Sequence, residues 1–328
     1  MRLRIVTPSR LHFGLIDLNG SSGRIDGGMG VALEKPGWEI EASESSEFHV
    51  EGEGQILGRE LLTHLCENIQ NLQVPVNILI RESLPQHIGL GSKTQLALAI
   101  ATGVLRINGY QKDLRTLANI MGRGGTSGIG VSAFDKGGCI LDAGHSFGPN
   151  GEKNSFLPSS ASNAKPPPVV MQSLVPKDWK FIIGLPSVKQ GASGLSEVEI
   201  FRENCPISKE DTNEISHTIL MKMVPALLES DIHKFGEGLL NLTQLGFKRL
   251  EIHLQHPIIR ELIEISLACG CVGANMSSFG PVTFALTDST EIAKETSQKW
   301  DTHLKRTVGG KIWITSANNT GAMIQEEE

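Results

Sequence analysis

The segment LPQHIGLGSKTQLALAIA, residues 84–101, decides how the rest of the chain is read. Pro85 ends any helix before it, Gly89 and Gly91 permit tight turning and close backbone approach, and an unbroken run of helix formers begins at about Thr94. A glycine loop feeding a helix makes an anion site. The first free N–H groups and the positive end of the helix dipole point at whatever lies over Gly89 to Ser92, and Lys93 adds a full charge. Phosphate or pyrophosphate suits such a loop, although a glycine pair that only turns a strand into a helix would read the same way. The order fits neither the Walker loop nor the dinucleotide fingerprint.

Working outward, residues 8–36 read PSRLHFGLIDLNGSSGRIDGGMGVALEKP. Arg10, His12, Asp17, Asn19, Arg24 and Asp26 are side chains that bind phosphate, sugar or metal, and Gly20, Gly23, Gly27, Gly28 and Gly30 break the stretch into turns. Those polar groups are expected on a loop and its shoulders between two strands, where sites concentrate; a solvated surface hairpin is the plainer alternative. On the other side, residues 122–145 set Arg123 and Ser127 among Gly122, Gly124, Gly125, Gly128 and Gly130 before the short strand CILDAG and His145. This cluster either brings backbone close to a ligand or turns a tight corner. A third turn, SSFGP, carries Ser277, Ser278 and Gly280 ahead of the strand VTFAL.

Between these segments, strands alternate with helices: MRLRIV, WEIEASE and VNILIRE against RELLTHLCENI and the apolar helix from Thr94, with Asp113 as N-cap of LRTLANI. Such alternation predicts an α+β or α/β layer structure. Residues 145–177 turn rich in Ser, Asn, Pro and Gly, with Pro166, Pro167 and Pro168 in a row, so the boundary between two domains is placed there, at 1–168 and 169–328. Beyond it, WKFIIGLP restarts a strand, and Gly191, Ser193 and Gly194 precede SEVEIF, whose Glu197 and Glu199 either face substrate or form the polar face of a helix start, the second being the plainer reading. Pro225 must kink or break the helix running from Asp211, and the order of later elements suits a split β-α-β second domain.

With 328 residues, 39% of them apolar, the chain has material for two cores. Its 30 basic and 36 acidic side chains, formal charge −6, form no basic stripe interleaved with aromatics, so no nucleic-acid surface is expected. No run approaches the ~20 apolar residues of a membrane span, and MRLRIVTPS at the start is strand-like with no apolar signal core. The five cysteines lack paired metal spacing, and Cys269-Gly-Cys271 reads as helix-end packing; reduced thiols and a cytoplasmic location follow as expectations.

The loop resembles the phosphate loop of the GHMP kinase superfamily, P-x-x-x-G-L-G-S-S-A, with Pro85, Gly89, Leu90, Gly91 and Ser92 matching. Within that superfamily, PSRLHFGLIDLNG, GRIDGGMGVALEKP, GLGSKTQLALA, GRGGTSGIGVSAFDKGG and SSFGP together resemble the β-ribofuranosylaminobenzene 5'-phosphate synthase family. Lys93 stands where that family usually has glycine, which changes the size or charge of the phosphate pocket. Many GHMP kinases carry S-G-x-D in the later glycine segment; here the run is Ser127-Gly128-Ile129-Gly130, and glycine cannot accept a proton.

The resemblance implies a GHMP-kinase-like α+β fold with an N-terminal α/β layer domain, a ferredoxin-like C-terminal domain and a homodimeric state. It implies that phosphoribosyl pyrophosphate couples through its anomeric carbon to 4-aminobenzoate or 4-hydroxybenzoate, releasing pyrophosphate and carbon dioxide, at the start of methanopterin biosynthesis. On that footing, Gly89, Gly91, Ser92, Lys93 and Thr94, with Mg²⁺, face pyrophosphate. Asp17 and Asp26 are expected to hold Mg²⁺ or face the oxocarbenium-like sugar, Asn19 to hold ribose hydroxyls, and Arg10, Arg24 and Arg123 to bind phosphate or carboxylate. Ser127, Ser277 and Ser278 add substrate contacts. His12 and His145 either shuttle protons or act as neutral structural donors. An ATP-dependent GHMP small-molecule kinase and a noncatalytic metabolite-binding protein are the competing readings.

Overall fold

The protein is described by a computed structural model covering residues 1–188 and 195–327, so Gly191, Ser193 and Gly194 lie outside the described residues. The first half forms β1 (Arg2–Val6), β2 (Ser9–Asp17), β3 (Arg24–Leu33), β4 (Glu39–Glu44), β5 (His49–Gly52), helix α1 (Gln55–Asn68) and β6 (Val76–Glu82). Helices α2 (Ser92–Ile107), α3 (Leu114–Ile120) and α4 (Ile129–Asp135) precede β7 (Cys139–Asp142), β8 (His145–Ser146), β9 (Val169–Ser173) and β10 (Lys180–Pro186). Then come α5 (Leu195–Asn204), α6 (Lys209–His217), α7 (Val224–Leu228), α8 (Ile232–Thr243), α9 (Gly246–Leu254) and α10 (Ile258–Ala268). The chain closes with β11 (Gly273–Met276), β12 (Thr283–Thr287), α11 (Thr290–Arg306), β13 (Gly310–Ser316) and β14 (Met323–Glu327).

These strands make three sheets, ordered β14-β1-β4-β6-β5, β2-β3-β7-β9 with β8 on β3, and β11-β12-β10-β13. The last, with α10 and α11 in the connections, is a β-α-β-β-α-β unit whose strands pair antiparallel in spatial order 2-3-1-4, the split β-α-β arrangement expected of the second domain. Helix α2 is buried on nearly every face, with Leu96, Leu98, Ile100 and Val104 fully enclosed, as its alanine-rich apolar sequence requires. Each such leucine removed from water contributes about 2 kcal/mol, so α2 is a post around which the first half is built. Asp113 caps α3 by accepting from the Thr116 amide at 2.9 Å. Pro225 lacks the N–H of a helical turn, and α6 joins α7 through a widened π-helical turn, Thr218–Met223.

The domain boundary needs correction. Strand β9 begins at Val169 yet pairs with β7, and β14 returns to pair with β1 from Arg2↔Glu327 to Val6↔Met323, so both belong to the first body. The proline run is not a linker. Pro166 and Pro167 pack against Gly124 and Gly128, where a side chain at either glycine would crowd them, and the Pro168 carbonyl accepts from Ala143 N at 2.9 Å. Part of that glycine cluster thus admits prolines rather than a ligand. All five cysteines are free thiols, and Cys271 Sγ lies 3.3 Å from Thr296 Oγ1 beyond the end of α10, as packing predicts. No helix among the described residues is long and apolar enough to cross a membrane.

Candidate active site

Three segments far apart in sequence are knitted into one floor. The amide of Arg10 donates to Leu90 O at 3.1 Å, Ser278 N to His12 O at 3.0 Å, and Val282 N to Ile88 O at 3.2 Å. Ser277 Oγ, fully buried, donates to Gly89 O at 2.6 Å and accepts from His12 N at 3.0 Å. Gly89 adopts φ 92°, and a Cβ there would collide with the Ser277 carbonyl oxygen. Gly89→Ala is therefore expected to destabilise the fold by about 1–3 kcal/mol through strain alone and to pull the loop from the SSFGP turn. Urea unfolding checks the first effect; a variant as stable as wild type would refute this tight seam.

Over the floor opens a cavity of about 550 Å³, which Arg10, His12, Gly89, Gly91, Ser92, Lys93, Thr94, Arg123, Ser127 and Ser278 all line. Gly91, at φ 72°, is the N-cap of α2, and the Ser92 and Lys93 amides that follow have no acceptor among the described residues. They leave the donor pair and dipole end that an anion needs. The Ser92 hydroxyl is committed elsewhere: it donates to Leu84 O at 2.7 Å and closes the loop, while Trp38 Nε1 donates to Ser92 O at 3.0 Å. Arg123 Nε donates to Thr94 Oγ1 at 3.1 Å and Arg10 Nη1 to Gly89 O, and neither guanidinium has a carboxylate partner among the described residues. Burial and the charge of Arg123 pull the Arg10 pKa down to about 10, and burial lowers that of Arg123. Two half-buried guanidiniums at a helix N-terminus repel each other until an anion separates them.

The cavity lining is also aromatic and acidic. Phe201 on α5 and Phe279 of the SSFGP turn belong to it with Glu197 and Glu251, and both rings pack on Phe247, at centroid distances of 4.6 and 5.8 Å. Glu251 pairs with the buried Lys248, whose Nζ also donates to Met276 O at 3.2 Å and Ser278 O at 2.9 Å. Burial, with Arg10 and Lys248 nearby, drives the His12 pKa well below its ordinary value, so the imidazole is neutral. Ser127 turns its hydroxyl to Asp142 Oδ2 at 3.1 Å, and burial raises the Asp142 carboxyl to about 6. Gly130, whose carbonyl accepts from Gln95 Nε2 at 2.7 Å, presents bare backbone to the cavity beside Thr94.

Four expected ligands sit elsewhere, and Ser277 lies behind the floor rather than in the cavity. Asp17, Arg24 and Asp26 line a separate, smaller cavity of about 210 Å³. Asp17 Oδ1 accepts from the Asn19 and Gly20 amides at 2.8 and 2.9 Å, and Asn19 Nδ2 donates to Ile207 O at 2.7 Å. Arg24 donates to Ala143 O and Gly144 O at 3.0 and 2.8 Å. Asp26 is buried against His145 Nδ1 at 2.6 Å and Lys153 Nζ at 2.9 Å, so His145 also serves this internal triad. The expected Mg²⁺ site at Asp17 and Asp26 does not fit these contacts: one carboxylate holds a turn and the other is taken up by the buried Lys153 and His145. Among the described residues no three His, Cys, Asp or Glu side chains converge as a metal group. Lys248, Glu251, Phe201 and Phe279 carry no site signal in the sequence; Glu197 alone of this group does, as a residue that either faces substrate or forms a polar helix face.

A glycine loop that opens a free helix N-terminus onto a cavity, with an α/β body and a ferredoxin-like body, defines a protein of the GHMP kinase class. Residues 57–138 match the GHMP kinases N terminal domain and residues 223–306 the GHMP kinases C terminal model. Homoserine kinase from Cytophaga hutchinsonii shares the fold at TM-score 0.71 and 16% identity, over 99% of this chain and 97% of its own. In sequence the chain is 42% identical to β-ribofuranosylphenol 5'-phosphate synthase of Methanothermobacter thermautotrophicus, covering 99% of each. It is 42% identical to the enzyme of that name from Archaeoglobus fulgidus, covering 98% of this chain and 99% of the relative. The chain belongs to this synthase family.

Proposed function

We propose that the protein is a decarboxylating phosphoribosyltransferase, joining the anomeric carbon of phosphoribosyl pyrophosphate to the carboxyl-bearing ring carbon of 4-hydroxybenzoate or 4-aminobenzoate. The bond from the anomeric carbon to pyrophosphate breaks, the ring attacks the oxocarbenium-like sugar, and the bond to the carboxylate breaks so that its electrons restore aromaticity. Pyrophosphate and carbon dioxide leave. The observation that carries this reading is the uncompensated Arg10–Arg123 pair at the N-terminus of α2, in a member of this family. Departing pyrophosphate gathers negative charge where the two guanidiniums, the Ser92 and Lys93 amides and the Lys93 ammonium would meet it. The aromatic lining at Phe201 and Phe279 suits a benzoate ring.

Magnesium is proposed as an ion brought by the substrate, because Mg²⁺ is commonly held by substrate phosphates and retained waters with few protein ligands. Gly130 offers no carboxylate where many GHMP kinases carry one, which weighs against phosphoryl transfer to an alcohol.

The test incubates purified protein with Mg²⁺, phosphoribosyl pyrophosphate and carboxyl-labelled 4-hydroxybenzoate, with parallel tubes for 4-aminobenzoate and for ATP with alcohol acceptors. The expected result is labelled carbon dioxide released only with phosphoribosyl pyrophosphate, one pyrophosphate per label. No release from either acid, with acceptor-dependent consumption of ATP, would overturn the synthase in favour of a kinase.

A further inference from the structure

We propose that Glu197 is the general base for the hydroxy substrate, taking the proton of the para hydroxyl as the ring attacks the sugar and returning it after carbon dioxide leaves. This rests on the synthase reading above. Glu197 lines the cavity in the first turn of α5, one helical turn before Phe201, and makes no hydrogen bond or ion pair with any described residue. Its neighbour Glu251, by contrast, is held in an ion pair with Lys248.

Helix α9 brings Glu251, the charge acting on Glu197, together with its ion-pair partner Lys248. The other charged or titratable groups that line the cavity, Arg10, the neutral His12, Glu60, His64, His87, Lys93 and Arg123, come from β2, α1, α2 and the loops. Burial, then the negative charge of Glu251, raise the Glu197 carboxyl to about 7. A base poised there is matched to neutral pH.

The chemistry explains why a base belongs here. When a phenol attacks through its para carbon, the hydroxyl oxygen becomes a carbonyl and its proton must leave; Glu197 accepts it, giving a neutral cyclohexadienone. Loss of carbon dioxide then sends the bonding pair into the ring, forming a phenolate that recovers the proton from the Glu197 carboxylic acid. The amine has no such need. Its nitrogen donates a lone pair, becomes an iminium and returns to an amine when carbon dioxide leaves, with no proton transferred. Glu197 is therefore the residue that admits the phenol as a substrate.

The test compares wild type, Glu197→Gln and Glu197→Asp with phosphoribosyl pyrophosphate and each labelled acid between pH 5.5 and about 8.5, a range spanning the base's titration. In wild type, turnover of 4-hydroxybenzoate should fall as pH drops through about 7, because the carboxyl takes up its proton. In Glu197→Gln, the ratio of hydroxy to amino turnover should fall at least about 100-fold, the low end of general-base catalysis, and the acid limb should vanish. Glu197→Asp should restore part of the ratio. Thermal stabilisation by pyrophosphate, unchanged in each variant, shows that the anion site is intact. Equal loss with both acids, or a Gln variant that keeps both ratio and acid limb, would overturn the assignment, as would wild-type release from 4-aminobenzoate alone. Wild-type silence with both acids would instead overturn the synthase reading itself.

Discussion

Arg10→Met should lower turnover at least about 100-fold, the range seen when a donor aimed at developing charge is removed, while making the ligand-free protein more stable. The two effects share one cause. Arg10 is desolvated, faces a second guanidinium at Arg123, and spends its hydrogen bonding on the Gly89 carbonyl rather than on a carboxylate. Methionine keeps much of the side-chain stem over Gly91 and removes the repulsion. Stability held back in favour of function is the pattern expected where a site is built to receive charge. Thermal unfolding with and without pyrophosphate separates the effects. At 100 times its dissociation constant the anion should stabilise wild type by about 2.7 kcal/mol, and the variant should lose most of that gain. A variant with wild-type turnover and a wild-type response to pyrophosphate would move the anion site away from Arg10.

What the sequence made legible is what short-range chemistry controls. Gly89 and Gly91 before a helix-forming run specify a loop, a cap and a free N-terminus whatever surrounds them, and all three are present. The polar stretch of residues 8–36 divides between two cavities, which the sequence does not announce because strand direction is not a property of residue type. Side chains in β2 alternate, placing Arg10 and His12 in the cavity, but the register shifts between His12 and Gly14, and it is Leu15 that next reaches the cavity. Ile16 and Asp17 then face the smaller cavity with Arg24 and Asp26. A bulge of one residue leaves no mark in composition. Strand β14, MIQEE, was missed because its burial is slight and its identity as a strand comes from pairing with β1, over three hundred residues away in sequence. The acidic lining of the cavity escaped notice for the same reason: Glu197 and Glu251 lie on separate helices and meet only through tertiary packing.

Lys248→Met should cost about 3–5 kcal/mol of folding stability, the usual penalty for removing one partner of a buried ion pair. Lys248 is 4% exposed and Glu251 6%. The lysine does more than neutralise its partner, because its ammonium also satisfies the Met276 and Ser278 carbonyls and so fixes the turn carrying Phe279. Without it, Glu251 stays in an apolar wall with no cation and must fold either charged or with a proton. A variant that takes up a proton on folding binds more protons folded than unfolded, so the deficit should shrink as pH falls from neutrality. Denaturant unfolding at pH 7.5 and pH 5.5 tests the sign. The double variant Lys248→Met with Glu251→Leu should recover most of the loss, since apolar groups of similar size often replace a buried pair at little cost. A deficit that grows on acidification, or a double variant no more stable than Lys248→Met, would mean that the pair holds the fold through the turn carbonyls rather than through its charge.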